Sequence, residues 1–349
     1  MIQIDKNTEL QEIWIPRSSR GENTFRKTYK DGLDEGYKQG YEDGLDNAPK
    51  VECAYLSFDG YDGEDIPPSL PLVDLRKLTS NSNMFTNCPN LGKNGIIRLP
   101  DDLDYQATTA IEMFKNCTSL KNVIFPNVKF NIYENTTSMF EGCSSIINIL
   151  LLPNASITSS MYKDCTSLKT VTIPKNYYTK IYNSSTMFQG CTSMESFEFL
   201  EETTKWTNVN SMFSNCTALK KVRINGGLTN FNSQNSMNIF MNCSALKALD
   251  WHYIDFRIVN KYTHQFHNCT SLEAIKLRGN KTGSITGSLK NALDYAGILG
   301  NITFWFEFLP DYDDKSDGLF WIGHWVDGKM VIDEKRKTID EWNAYWKSI

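Results

Sequence analysis

Residues 112–126, EMFKNCTSLKNVIFP, decide how this chain is read. Phe114, Cys117 and Leu120 fall at i, i+3 and i+6, a spacing that suits one face of a short helical turn. The period then changes to two, with Val123 and Phe125 apolar on either side of Ile124, so a short strand is expected after the turn. The phrase recurs as NMFTNCPNL around Cys88, SMFEGCSSIINILLLP around Cys143, SMYKDCTSLKTVTIP around Cys165 and TMFQGCTSMESFEF around Cys191. It continues as SMFSNCTALKKVRI around Cys216, NIFMNCSALKALDW around Cys243 and HQFHNCTSLEAIKL around Cys269. The cysteines are separated by 29, 26, 22, 26, 25, 27 and 26 residues. A unit that cannot bury its apolar face alone, repeated at this period, is expected to stack on its neighbours.

The fold expected is an α/β repeat: a solenoid over residues 81–284 of about eight short helix–strand units, with the strands aligned in a parallel sheet. Strands about 4.8 Å apart would make a slab roughly 40 Å long. Like residues then lie above like, and Cys88, Cys117, Cys143, Cys165, Cys191, Cys216, Cys243 and Cys269 form a structural column in which each thiol acts as a small hydrophobe. Metal binding or disulfide pairing does not fit a single cysteine per repeat. The phrase MFxxCxxLxxVxIP resembles the BspA-like leucine-rich repeats found on surface proteins of gut and oral bacteria. That resemblance implies a non-enzymatic adhesion or recognition module, and it carries over no binding residue.

With 349 residues, 40% of them hydrophobic and 22% charged, the chain can bury a sizeable core. A net charge of −5 and a pI near 5.5 offer no attraction for phosphate backbones, so nucleic acid is not an expected partner. No run approaches the ~18 apolar residues of a membrane span. The opening MIQIDKNTELQEIWIP puts Asp5 and Glu9 where an export signal needs an apolar run, so export by the general route is not expected.

Residues 1–50 are expected to form an assembly segment. In GLDEGYKQGYEDGL, residues 32–45, Gly32, Gly36, Gly40 and Gly44 recur every four residues, each followed by Leu33, Tyr37, Tyr41 or Leu45. On a helix this lays a glycine stripe beside an aromatic one. Each glycine costs about 1 kcal/mol against alanine, so the stripe needs a close neighbour: further copies in a homo-oligomeric stalk, or a partner protein. A flexible linker is the alternative. The tetrads look similar to the N-terminal anchoring segments of tailed-phage structural proteins, which implies assembly with other virion proteins in the host cytoplasm.

Residues 51–80 are expected to cap the solenoid at one end and residues 285–349 at the other. The latter carry Phe304, Trp305, Phe306, Phe308, Phe320, Trp321, Trp325, Trp342 and Trp346, read either as a cover for the last repeat or as an aromatic binding surface. FWIGHWVDGKMVID alternates around Asp327-Gly328, a hairpin signal. DEKRKTIDEWNAYWKSI reads as an amphipathic helix with Ile339, Trp342 and Trp346 on one side. GHWVDGK has the letters of a phosphate loop, but Met330 replaces the required hydroxyl and the turn signal points to strands. Asp311, Asp313, Asp314 and Asp317 depart from a calcium loop at Lys315 and Ile322. His264 and His267 stand at variable positions of the repeat beside Cys269. No metal, cofactor or catalytic residue is assigned, and an enzyme hidden in the C-terminal segment is the third reading behind two binding ones.

Aligned strands place Arg98, Ile124, Leu151, Thr172, Glu198, Arg223, Asp250 and Lys276 outward. From Glu198 the charges alternate, so neighbours one strand apart neutralise each other. Ile124, Leu151 and Thr172 form the apolar part of this face and are the expected partner contact. The leading expectation is a virion fibre or decoration component that recognises a protein or surface glycan on a host cell. The alternative is an adhesin at the bacterial cell surface.

Overall fold

The phrase that recurs in the sequence folds into a coil that turns sharply on one side and runs as a short strand on the other. In the computed structural model the described residues are 2–3, 56–67, 70, 75–100, 108–125, 134–150, 155–173, 180–200, 205–225, 227–228, 236–252, 264–278, 290, 292–307, 319–327 and 329–349. They fall into two compact units, Met1–Ile146 and Ile147–Ile349.

The turn side corrects the expected short helix. Two residues per phrase are left-handed, at the fifth and the first position before the cysteine. Examples are Glu112 (φ 55°) and Asn116 (φ 60°), and Ser211 (φ 54°) and Asn215 (φ 63°). A left-handed residue every fourth position cannot propagate a right-handed helix, and the segment is a series of turns. Its backbone hydrogen bonds alternate. The amides of Glu112, Phe114 and Asn116 donate to the next coil at Thr137, Met139 and Glu141, whereas those of Met113 and Lys115 close turns on Ala110 and Glu112. Hence the turn side is bonded coil to coil much as a parallel sheet would be.

The residue before each cysteine suits this backbone. Asn87, Asn116, Asp164, Asn215, Asn242 and Asn268 take the left-handed region, as do Gly142 and Gly190, and these are the residue types that visit it at least cost. Where they are asparagines they also form ladders. Asn116 donates its amide to Asn87 at 2.9 Å, and Asn268 to Asn242 and Asn242 to Asn215 at 2.7 Å each.

In the first unit β1 (Ile2–Gln3) pairs in parallel with β2 (Leu56–Ser57), and β3 (Ile97–Arg98) with β4 (Val123–Ile124). Phe58, Phe85, Phe114 and Phe140 stack with ring centroids 5.6, 5.3 and 5.4 Å apart. In the second unit β5 (Asn148–Leu150) pairs in parallel with β6 (Thr170–Thr172). Three further parallel strands, β7 (Lys180–Ile181), β9 (Lys205–Trp206) and β11 (Gly227–Leu228), make a second face of the coils.

The largest sheet has parallel strands β8 (Ser196–Phe199), β10 (Lys221–Ile224), β12 (Ala248–His252), β13 (Ala274–Arg278) and β14 (Thr303–Phe306). It ends in antiparallel β15 (Leu319–Val326) and β16 (Lys329–Ile332), with β17 (Lys337–Thr338) pairing back on β15. The final helix α1 spans Ile339–Ser348. Phe197, Val222, Leu249, Ile275 and Phe304 are buried on the inner side of this sheet. The stack of Tyr162, Phe188, Phe213, Phe240 and Phe266 at 5.7–5.8 Å lines the coils.

The hairpin expected at Asp327-Gly328 is present: Val326 pairs with Lys329 and Asp327 is left-handed (φ 48°). The same pairing places Gly323 and Lys329 on adjacent antiparallel strands, so GHWVDGK is no strand-to-helix phosphate loop.

Candidate recognition surface

Inside the coils the thiols are committed to the backbone. All eight phrase cysteines are buried thiols. In the first unit Cys117 donates its S–H to the carbonyl of Phe85 and Cys143 to that of Phe114, each at 3.0 Å. In the second, Cys216 donates to Phe188, Cys243 to Phe213 and Cys269 to Phe240, again at 3.0 Å. The carbonyls of Phe114, Phe188, Phe213 and Phe240 already accept an amide of their own turn, as Phe114 does from Cys117, and the thiol occupies the second lone pair. Burial holds these protons in place. The Cys269 thiol is pushed up to about 12, and those of Cys143 and Cys216 further. A nucleophilic thiolate needs the opposite environment.

The outward positions divide between the two units. In the first, Arg98 lies opposite Ile124, and both are exposed, Ile124 to 40%. In the second, the register pairs Thr172 with Leu150. Leu151 lies outside the described residues, and so do Gly32, Gly36, Tyr37, Gly40, Tyr41, Gly44 and the acidic loop 311–317.

The charged part of the row has the expected register, Glu198 beside Arg223, Arg223 beside Asp250, Asp250 beside Lys276, and then Trp305. It is not an open ladder. Asp250 and Lys276 are fully buried beneath α1. Asp250 accepts from Arg223 Nε at 3.1 Å and from the indole N–H of Trp342 at 3.0 Å, with Lys276 Nζ 3.7 Å away. The indole N–H of Trp346 donates to Glu198 at 2.9 Å, and Lys221 Nζ donates to the carbonyl of Trp346 at 2.7 Å. The Arg223 guanidinium lies 4.2 Å from the Trp346 ring centre, and Lys276 Nζ 5.2 Å from that of Trp342. A buried charge is tolerated where it is paired and hydrogen-bonded, and Asp250 meets that condition through three strands and a helix.

The floor under α1 is apolar. Ala248, Ala274, Trp305, Phe320 and Ile322 are buried against Trp342 and Trp346, and Tyr345 and Ile349 pack alongside. At the rim the Tyr345 hydroxyl donates to Glu273 at 3.4 Å; burial, then the Glu273 carboxylate, raises this phenol above its usual range. The helix starts on its own signal: Thr338 accepts from the Glu341 amide, and the Glu341 carboxylate accepts from the Thr338 amide. The C-terminal aromatics thus do more than close the last coil, which β14 does by pairing with β13; the helix also lies across the outer face. The signal for this was Ala248 and Ala274, apolar residues at outward positions where other coils carry Asn148, Thr170, Ser196 or Lys221.

His264 and His267 meet Tyr295, with ring centres 5.4 and 6.2 Å from it and 6.0 Å from each other. Among the described residues no three His, Cys, Asp or Glu side chains are placed to hold a metal ion, and no described helix is long and apolar enough to cross a membrane.

The chain was also compared with known proteins. The family model for the BspA type leucine rich repeat region, in six copies, matches residues 78–209 and 184–306. No curated protein matches the chain. A match over roughly two thirds of the sequence, on coils whose cysteines and aromatics stack as described, identifies the chain as a member of the BspA type leucine-rich-repeat family.

Proposed function

We propose that the protein is a non-enzymatic recognition module that binds a protein or glycan on a cell surface through the outward positions of its coils. The observation that carries this reading is the use made of the repeat's one reactive side chain. Its thiols are buried and bonded to carbonyls, so the invariant part of the phrase serves packing and only the outward residues are free to vary. Repeat scaffolds separate fold from recognition in this way. On this reading each of the eight phrases in residues 81–284 contributes one coil, and residues 51–80 and 285–349 close the ends. Ile124, Leu151 and Thr172 are the proposed contact.

The proposal extends to residues 1–50 as an assembly segment acting through Gly32, Gly36, Tyr37, Gly40, Tyr41 and Gly44, either on itself or on other virion proteins. The protein is then a fibre or decoration component of a phage virion. The glycine–aromatic tetrads support this assignment. Family membership supports a second reading, an adhesin at the bacterial surface.

Immunogold labelling with antibodies raised against the full chain separates them. Gold on purified phage particles and not on uninfected cells is the expected result. Gold on intact uninfected cells replaces the virion reading with the adhesin, and gold on neither sinks both.

A further inference from the structure

We infer that the open edge of β16 is a self-association surface, on which β16 of a second copy of the chain lies antiparallel about a two-fold axis through Val331 and joins the largest sheets of the two copies into one. The inference rests neither on the recognition reading nor on residues 1–50.

The edge follows from the hairpin. Among the described residues β16 pairs with β15 alone, and β17 takes its place on β15 further along, at Leu319 and Phe320. Hydrogen-bonded and unbonded pairs alternate along an antiparallel ladder. The Asp333 amide donates to the carbonyl of Ile322 at 2.8 Å, so Asp333, Val331 and Lys329 turn their backbone groups toward β15. Met330 and Ile332 turn theirs the other way, to the edge. A row of such groups is a template for one more strand.

The side chains of the edge say which strand. Lys329, Val331 and Asp333 alternate on the outer side of the sheet beside His324 of β15, whose Nε2 is 3.5 Å from the Asp333 carboxylate. Lys329 and Val331 are exposed, Val331 to 47%, and the Asp333 side chain to 43%. Met330 and Ile332 belong to the inner side: a Cβ added at Gly323 would lie 2.9 Å from Met330 Sδ and 3.0 Å from Ile332 Cδ1. A lysine and an aspartate flanking an edge valine discourage pairing with an arbitrary strand, which leaves them unpaired or opposed.

They suit a copy of the same strand. Turned about Val331, the second β16 sets its Asp333 opposite Lys329 and its Lys329 opposite Asp333, two cross-strand pairs of opposite charge. Val331 meets its own copy at an unbonded pair, where side chains come closest. Met330 faces Ile332 on either side of the axis, and both aim their amides and carbonyls across the gap, so four hydrogen bonds close it. Centring on Met330 or on Ile332 instead sets Val331 against Lys329 or Asp333 and loses both charge pairs. The contact is isologous and closes at two copies.

The test is sedimentation equilibrium on the full-length protein over a concentration series, with charge variants at the two ends of the strand. Reversible dimerisation of the wild type is expected. Lys329→Asp sets aspartate against Asp333 at both ends and Asp333→Lys sets lysine against Lys329, so each variant alone is expected to dimerise at least about tenfold more weakly. An equimolar mixture of the two variants regains both opposite-charge pairs between unlike chains and is expected to recover the wild-type association. A wild type that stays monomeric overturns the inference. So does a dimer that either single variant leaves unchanged or that the mixture fails to recover, since it is then held elsewhere, as through residues 1–50. Should circular dichroism show that Asp333→Lys folds poorly without its contact to His324, Ile332→Pro decides. Proline there removes an amide that points away from β15, which an edge strand tolerates, and with it two of the four bonds between copies. A folded Ile332→Pro chain that dimerises like the wild type overturns the inference, and one that stays monomeric supports it.

Discussion

Compare the outward residues of β3 and β4 with those of β12 and β13. Both pairs are parallel and both alternate inward and outward. Arg98 and Ile124 face solvent, whereas Asp250 and Lys276 are sealed. The coil is the same, so the coil does not decide what its outer positions do. In β12 and β13 they answer to α1, whose Trp342 is 92 residues from Asp250 and whose Trp346 is 148 from Glu198. An outward position in this repeat carries little energy until something distant covers it, and then it carries a great deal.

Removing the cover should give the largest effect. Trp342→Ala takes away the ring packed against Trp305 at 5.2 Å and the N–H that Asp250 accepts. A loss of about 3–5 kcal/mol is expected in denaturant unfolding of the second unit. Asp250→Ala should cost a comparable ~3–5 kcal/mol by leaving Lys276 and Arg223 facing each other without their carboxylate. A cost below about 1 kcal/mol for either would mean that the covered ladder is no different from the open one.

Alkaline pH should strike both regions alike, because the thiols lie inside the coils of each unit. Folded-state burial raises the thiols of Cys117, Cys143, Cys191, Cys216, Cys243 and Cys269 above their ordinary value of 9.0. The folded chain therefore keeps protons that the unfolded chain releases. Stability is full below pH 9 and should fall above it, by up to about 1.4 kcal/mol per thiol per pH unit. A melting temperature unchanged between pH 8 and pH 10.5 would contradict buried, protonated thiols.

Thr338→Ala removes the cap of α1 and should cost about 1 kcal/mol. If the helix is a separate element, the loss appears as faster amide exchange within 339–348 and not in β10. The smallest effects belong to the open pair. Arg98→Ala and Ile124→Ala should each change stability by no more than about 0.5 kcal/mol, yet the proposed function expects Ile124→Ala to weaken binding to cells that retain the wild-type protein.

Much of this was legible in the amino-acid order, and what was not has physical reasons. The recurring aromatic, cysteine and aliphatic residues point inward from every coil, so their spacing alone marks the period and the core. Asp327-Gly328 announced its hairpin because a left-handed turn wants those residue types. The helix expected within each phrase was a misreading of i, i+3, i+6 spacing, which turns with two left-handed residues reproduce. Asn116 hints at such a backbone, but Glu112, Thr186 and His264 adopt it without any compositional sign. In SIINILLLP four apolar residues follow Asn148 without alternation, so the stretch does not set its own register.

The sequence by itself determined the repeat, the inward column of rings and thiols, the parallel order of the strands and the existence of a terminal amphipathic helix, since each follows from local spacing and the need to bury like residues together. Only the tertiary structure decided where that helix lies. Alternating charges on adjacent strands satisfy one another equally well in water or under a cover, and the choice between the two rested on contacts from Ala248, Asp250 and Lys276 to Trp342 and Trp346, residues that no local pattern connects.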